Sequence, residues 1–138
     1  MRYLLLISVL VVMNSCCGTS KSQETTQIEV ELDGKYQIVN LKGEKIDSDE
    51  LYLDFSEKTR VSGITGCNNV SSEYKKEGNN IDFSAVLATK MYCEGKMENE
   101  KAIASALTLA KSVKSTSENE IILVSEDGTE LLKAKKIE

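Results

Sequence analysis

Apolar residues crowd into one block at the start of the chain and afterwards spread into short alternating runs. Tyr3 to Met13 (YLLLISVLVVM) is almost wholly apolar, whereas Gly18 to Gln27 (GTSKSQETTQ) is small and polar with no apolar period. From about Ile28 the pattern is that of strands, in which successive side chains turn to opposite faces. Lys35 to Leu41 (KYQIVNL) places Tyr36, Ile38 and Asn40 on one face, then turns at Lys42-Gly43. Leu51, Leu53 and Phe55 alternate inward along the next run. Arg60 to Ile64 and Ser71 to Lys75 are shorter strands flanking the turn Gly66-Cys67-Asn68-Asn69, and Ile81 to Phe83 follows Gly78-Asn79-Asn80. Glu120 to Ser125 and Thr129 to Lys133 flank Glu126-Asp127-Gly128, a hairpin signal. Many short strands at this spacing suit a sandwich, a barrel or an open curled sheet.

One segment has a different period. Lys96 to Lys111 (KMENEKAIASALTLAK) contains no Gly or Pro and is rich in Ala, Leu, Glu and Lys. Ile103, Leu107 and Ala110 recur at helical spacing with Met97 and Ala104 alongside, while Glu98 and Glu100 lie early and Lys111 and Lys114 late, as the helix dipole favours. The expectation is one amphipathic helix, packed over an end or open side of the sheet, with its apolar stripe serving as core contact.

The opening block is about 11 residues long, too short to cross a bilayer core of about 30 Å as a stable helix. Arg2 precedes it and Ser15-Cys16-Cys17-Gly18 follows, the layout of an export signal. Val11 to Cys16 resembles a lipobox, where a bacterial lipoprotein is acylated on cysteine and cut just before it. Cys16 is the expected lipidation site, with Cys17 the alternative. Residues 1–15 thus read as a lipoprotein signal peptide, residues 16–28 as the lipidated cysteine with a flexible tether, and residues 29–138 as the folded domain. A cleaved chain without a transmembrane helix needs acyl chains to stay at a membrane. The expected location is the cell envelope, lipid-anchored; Cys17 rather than Asp after the acylated residue points to the outer membrane, facing the periplasm.

Composition narrows the chemistry. The formal net charge is −5, and loss of the leader removes Arg2, which argues against nucleic acid as a partner. Histidine is absent, and with it the usual general base, the Ser-His and Cys-His pairs and the commonest transition-metal ligand. No catalytic residue, metal site or cofactor is expected. Cys67 and Cys93 lack CxxC spacing, and in an oxidising compartment such a pair is more often a structural disulfide than two free thiols or a redox centre. The stretch from Arg60 to Asn69 (RVSGITGCNN) supplies two glycines for a sharp corner, with Thr65 and the asparagines able to bond its backbone. It reads as a cysteine-stapled turn ahead of a polar ligand loop. The acidic runs Asp47 to Glu50 and Glu98 to Glu100 lack calcium-loop spacing and read as solvated surface.

These motifs together resemble the META domain, or HslJ-like, family. Arg60 to Asn69 with Tyr74 is similar to its first signature; Thr89-Lys90-Met91-Tyr92-Cys93, then Glu100 leading into the helix, is similar to the second. Ile122 to Val124 and Gly128 to Leu131 resemble its closing hairpin. Tyr36 stands where the family usually carries Trp, and Ser72 where it usually carries Gly. The resemblance implies a mainly β (α+β) fold: an antiparallel, cracked or partly open β-barrel-like sheet with one amphipathic helix packed against it. Gly63, Gly66, Asn68, Tyr74, Thr89 and Met91 are its motif positions here. The family includes secreted domains and lipoproteins linked to heat shock, drug resistance or motility, with no established reaction. The expected function is a non-enzymatic envelope module, of a binding, accessory or stress-related kind. Its expected partners are the membrane, through the lipid, and an envelope protein segment or lipid held between helix and sheet. The alternative is a hydrolase using carboxylates or a Ser-Lys pair in that cleft.

Overall fold

The computed structural model describes residues 28–138; the leader, Cys16 and Cys17 lie outside the described residues. Ten strands and one helix follow in chain order: β1 (Lys35–Leu41), β2 (Glu44–Lys45), β3 (Tyr52–Glu57), β4 (Arg60–Ile64), β5 (Asn69–Glu77), β6 (Asn80–Phe83), β7 (Leu87–Ala88), α1 (Met97–Leu109), β8 (Ala110–Ser117), β9 (Glu120–Ser125) and β10 (Glu130–Lys136). Eight of the strands form a closed antiparallel ring, β1-β3-β4-β5-β6-β8-β9-β10, which β10 completes by pairing back onto β1 from Tyr36↔Lys136 to Leu41↔Leu132. The two-residue strands β2 and β7 hang on β1 and β5. One seam is thin. β6 and β8 share the single pair Asn80↔Ser112, reinforced by the Val113 N–H on the Asn79 carbonyl at 2.8 Å. The barrel is therefore closed, and what remains of a crack is that seam.

Alternation along the strands explains the core. Leu53, Phe55, Val61, Val70, Tyr74, Ile81 and Phe83 all point inward and are buried. Burying each large apolar side chain contributes about 1.5–3 kcal/mol before entropy is counted. An aromatic ladder crosses the interior: Tyr36–Phe55, Phe55–Tyr74 and Tyr74–Phe83 have ring centroids 5.9, 5.7 and 5.8 Å apart, the first two edge-to-face. Tyr36 is 2% exposed and fills the place expected of a Trp.

Two details depart from simple periodicity. A bulge between Ile38 and Asn40 shifts the phase of β1, so that Leu41 rather than Asn40 faces the core. Asn40 instead accepts the Gly43 N–H at 3.0 Å and shapes the turn. The helix ends at Leu109, because Ala110 is already extended and pairs with Ser125. Lys111 and Lys114 therefore belong to β8 and do not compensate the helix dipole. Ala110 and Val113 are buried within β8, so sheet pairing overrides the helical preference of the preceding Ala/Leu run.

The antiparallel order sorts the connections between the two barrel ends. The turns after β3, β5 and β8 gather with Gly34 and Ile137 at one end, which we call the mouth. α1 spans the other end, with Ile103, Ala106 and Leu107 entering the core at i, i+3 and i+4.

Candidate functional site

The sequence-marked residues converge beside the N-terminus of α1. Gly66 has φ +146°, in the region glycine favours, and a Cβ there would meet Glu100 Oε1 at 3.1 Å and Lys96 Cβ at 3.2 Å. This close approach lets Glu100 Oε1 accept the N–H groups of Cys67 (3.1 Å) and Asn68 (3.2 Å). Thr65 closes the corner, its N–H and hydroxyl both donating to the Asn68 carbonyl at 2.9 and 3.1 Å. Gly63 serves β4 itself, since a Cβ would lie 2.2 Å from the Tyr52 carbonyl oxygen.

Asn68 is the hub. Only 2% exposed, it donates from Nδ2 to the Met91 carbonyl (2.9 Å) and Glu100 Oε2 (2.8 Å), and accepts at Oδ1 from the Met91 N–H and the Thr89 hydroxyl, both 2.7 Å. Thr89 in turn accepts the Asn69 N–H at 3.1 Å. The Cys67–Cys93 disulfide, Cα atoms 6.3 Å apart, joins the same two segments covalently. Tyr74 lies away from this cluster in the aromatic ladder, and burial pushes its hydroxyl pKa up. The motif thus builds a latch that fixes the segment from Thr89 to Cys93 against the β4–β5 corner. Glu100 is its central acceptor, not solvated surface. Helical periodicity marks it as outward-facing, and only the position of the corner shows what it faces. Outside the latch, the side chains of Met91 and Tyr92 are 55% and 81% exposed.

Between α1 and the barrel, Ile103, Ala106 and Leu107 are buried in the core. Two concave surfaces lie away from the helix. A shallow groove of about 400 Å³ borders β7, lined by Tyr52, Gly63, Val70, Leu87 and Thr89. A larger cleft of about 900 Å³ opens at the mouth, between residues 28–33 and the run Lys114 to Glu118, with Val30, Tyr36 and Ile121 lining its apolar part. Residues 28–33 are held there as a strap. Asn79 accepts the Val30 N–H (2.8 Å) and donates to the Ile28 carbonyl (3.1 Å), bonding the strap as a neighbouring strand would. Lys76 pairs with Glu29 at 3.1 Å and Lys136 with Asp33 at 2.8 Å. The Asp33 hydrogen bond raises the Lys136 pKa, and burial raises that of Tyr36 at the base of the cleft. Sequence reading places Asn79 in a turn, and its reach to a strap some fifty positions away has no local signal (|i−j| of 49 and 51).

The remaining ionisable groups are scattered. Asp54, Glu120 and Asp127 have lowered pKa values, led in each case by a side-chain hydrogen bond, from Ser56, Thr116 and Ser125 respectively. Among the described residues no three His, Cys, Asp or Glu side chains converge as a metal site, and no helix is long and apolar enough to cross a membrane.

The META domain family model matches residues 26–138. No curated protein matches the chain. Among solved structures, a protein determined by NMR is 24% identical, with TM-score 0.59, over 74% of this chain and 87% of its own. A Burkholderia xenovorans protein, also determined by NMR, is 22% identical with TM-score 0.59, over 77% and 83% of the two chains. A DUF4847 family protein from Bacteroides vulgatus is 14% identical with TM-score 0.55, over 81% and 96%. These neighbours share the fold.

Proposed function

The chain belongs to the META domain family, and from that premise we propose that it is a non-enzymatic, lipid-anchored envelope module that binds a partner segment in the mouth of its barrel. The observation that carries this reading is the strapped cleft of about 900 Å³ with Val30, Tyr36 and Ile121 in its lining. Ligand sites are concave, with an apolar floor and a few polar groups that fix orientation. The cleft has that composition, and it opens where the chain enters the domain from the proposed anchor. The latch at the other end acts as a rigid frame. Cys16 carries the lipid in this reading, and the protein resides in the envelope at the outer membrane, facing the periplasm.

The test has two arms in a Gram-negative host. Full-length protein should fractionate with membranes and begin at a diacylglyceryl-modified Cys16 by mass spectrometry, and Cys16→Ser should release it. Short apolar peptides should shift the amide resonances of Val30, Tyr36 and Ile121 in the mature domain. An unmodified, soluble chain defeats the anchor, and unchanged mouth resonances defeat the binding site.

A further inference from the structure

The mouth has a charge as well as a shape. Its lining carries the carboxylates of Glu29, Glu31, Asp33 and Glu118 against the single ammonium of Lys114. Lys76 and Lys136 neutralise Glu29 and Asp33. Glu31 and Glu118 make no ion pair among the described residues, and both are exposed. They sit on opposite banks, Glu31 on the strap and Glu118 at the end of the β8 run, with the apolar lining between them.

One bank also offers backbone. β8 pairs with β9 on one side, from Ala110↔Ser125 to Ser117↔Glu120. On its other side the ladder with β6 consists of Asn80↔Ser112 alone. Lys114 to Ser117 is exposed and borders the cleft. Among the described residues no further strand pairs with that edge, and an unpaired strand edge is a template for an added extended segment. Such a segment presents alternate side chains to one face, so apolar residues can seat toward Tyr36 and Ile121 while those between reach the rim.

We propose that the mouth recognises an extended, cationic peptide segment in which Lys or Arg alternates with aliphatic residues. This rests on the reading of the mouth as the binding site and adds the chemistry of its occupant. The chain's net charge of −5 attracts such a segment over a distance and repels anionic peptides and anionic lipid headgroups. Glu31 and Glu118 clamp its basic residues from the two banks, and the free edge of β8 aligns its backbone.

The test titrates the isotopically labelled mature domain with three short peptides of equal leucine content, alternating Leu with Lys, Ser or Glu, and with phosphatidylglycerol vesicles. The Lys-Leu peptide should shift the amides of Val30 and of Lys114 to Ser117. It should bind about tenfold tighter than Ser-Leu at low salt, losing most of that advantage at high salt. Glu31→Lys with Glu118→Lys, both at exposed positions, should reverse the preference toward Glu-Leu. If Ser-Leu or Glu-Leu binds the mouth as tightly as Lys-Leu, or the double variant keeps the wild-type order, the cationic assignment is wrong while the mouth remains a binding site. If the vesicles alone perturb the mouth, the occupant is lipid and the peptide assignment falls. If nothing shifts these amides, both the occupant and the site are wrong.

Discussion

Asn68 shows how one side chain can hold two segments far apart in sequence. Its amide makes two donor and two acceptor bonds at a buried position, all of them across 21 to 32 residues of sequence. Replacing it by alanine leaves the Met91 N–H and carbonyl and one Glu100 oxygen without partners. A net bond contributes about 1 kcal/mol, and an orphaned buried group costs about 1–3 kcal/mol. Asn68→Ala should therefore destabilise the domain by about 2–4 kcal/mol, read as a lower urea midpoint at unchanged m-value. Asn68→Asp should be at least as harmful at neutral pH, because an oxygen then faces the Glu100 carboxylate and the Met91 carbonyl. An unfolding free energy within about 0.5 kcal/mol of wild type for Asn68→Ala would show that the disulfide alone holds the latch.

At the scale of elements, two long-range ties hold segments to the barrel, and they should differ in weight. The Cys67–Cys93 bond spans 26 positions and constrains the unfolded chain, an effect worth about 3.5 kcal/mol on the loop-entropy model. The paired change Cys67→Ala with Cys93→Ala should lower Tm by roughly 10–20 °C by calorimetry, with the far-ultraviolet spectrum preserved because Asn68 still bonds Met91. The strap is held by Asn79, by Val30 buried in the core with Leu32 packed against it, and by two surface ion pairs, and exposed ion pairs contribute little. Asn79→Ala should speed hydrogen exchange at the Val30 amide well beyond that of the barrel strands, while global stability changes by less than about 1.5 kcal/mol. A loss of global cooperativity in that variant would mean that the strap is a structural strand of the barrel.

Over the whole molecule, the perturbed tyrosines and Lys136 set an alkaline limit. Tyr36 and Tyr74 are raised first by burial, and Lys136 first by the Asp33 hydrogen bond. For each, the folded form keeps its proton at a pH where the unfolded chain has released it, so stability falls as pH rises. The contribution of these groups is complete below about pH 10, the ordinary tyrosine value, and is lost as pH climbs through the raised folded values. The tyrosinate absorbance contributed by Tyr36 and Tyr74 should therefore lag behind that of free tyrosine and then rise together with loss of ellipticity in an alkaline titration. Ionisation of Tyr36 and Tyr74 at the free-tyrosine pH in a still-folded protein, read as the absorbance lost in the Tyr36→Phe and Tyr74→Phe variants, would contradict the buried ladder. On the acid side, Asp54, Glu120 and Asp127 work in the opposite sense, losing a small surface contribution as pH falls below about 4.

What could be read from the residues alone is what local physics dictates. The period of two in LYLDF, and in KYQIVNL as far as Ile38, fixes which side chains turn inward, and the Ala/Leu run after Lys96 fixes a helix of nearly the observed length. The motif around Gly66 and Asn68 also announces a tight corner, because glycine there is a backbone requirement. Tertiary structure decided the rest, since it depends on partners distant in the chain. The seven residues after Ala110 become strand because β9 offers a ladder, and Asn40 turns outward because of a bulge against β10. Glu100 becomes an acceptor because the Gly66 corner folds onto it. The mouth exists only once the ring closes and Asn79 draws the strap across it. A side chain's period along the chain fixes the face it occupies, but only closure of the barrel determines what that face meets.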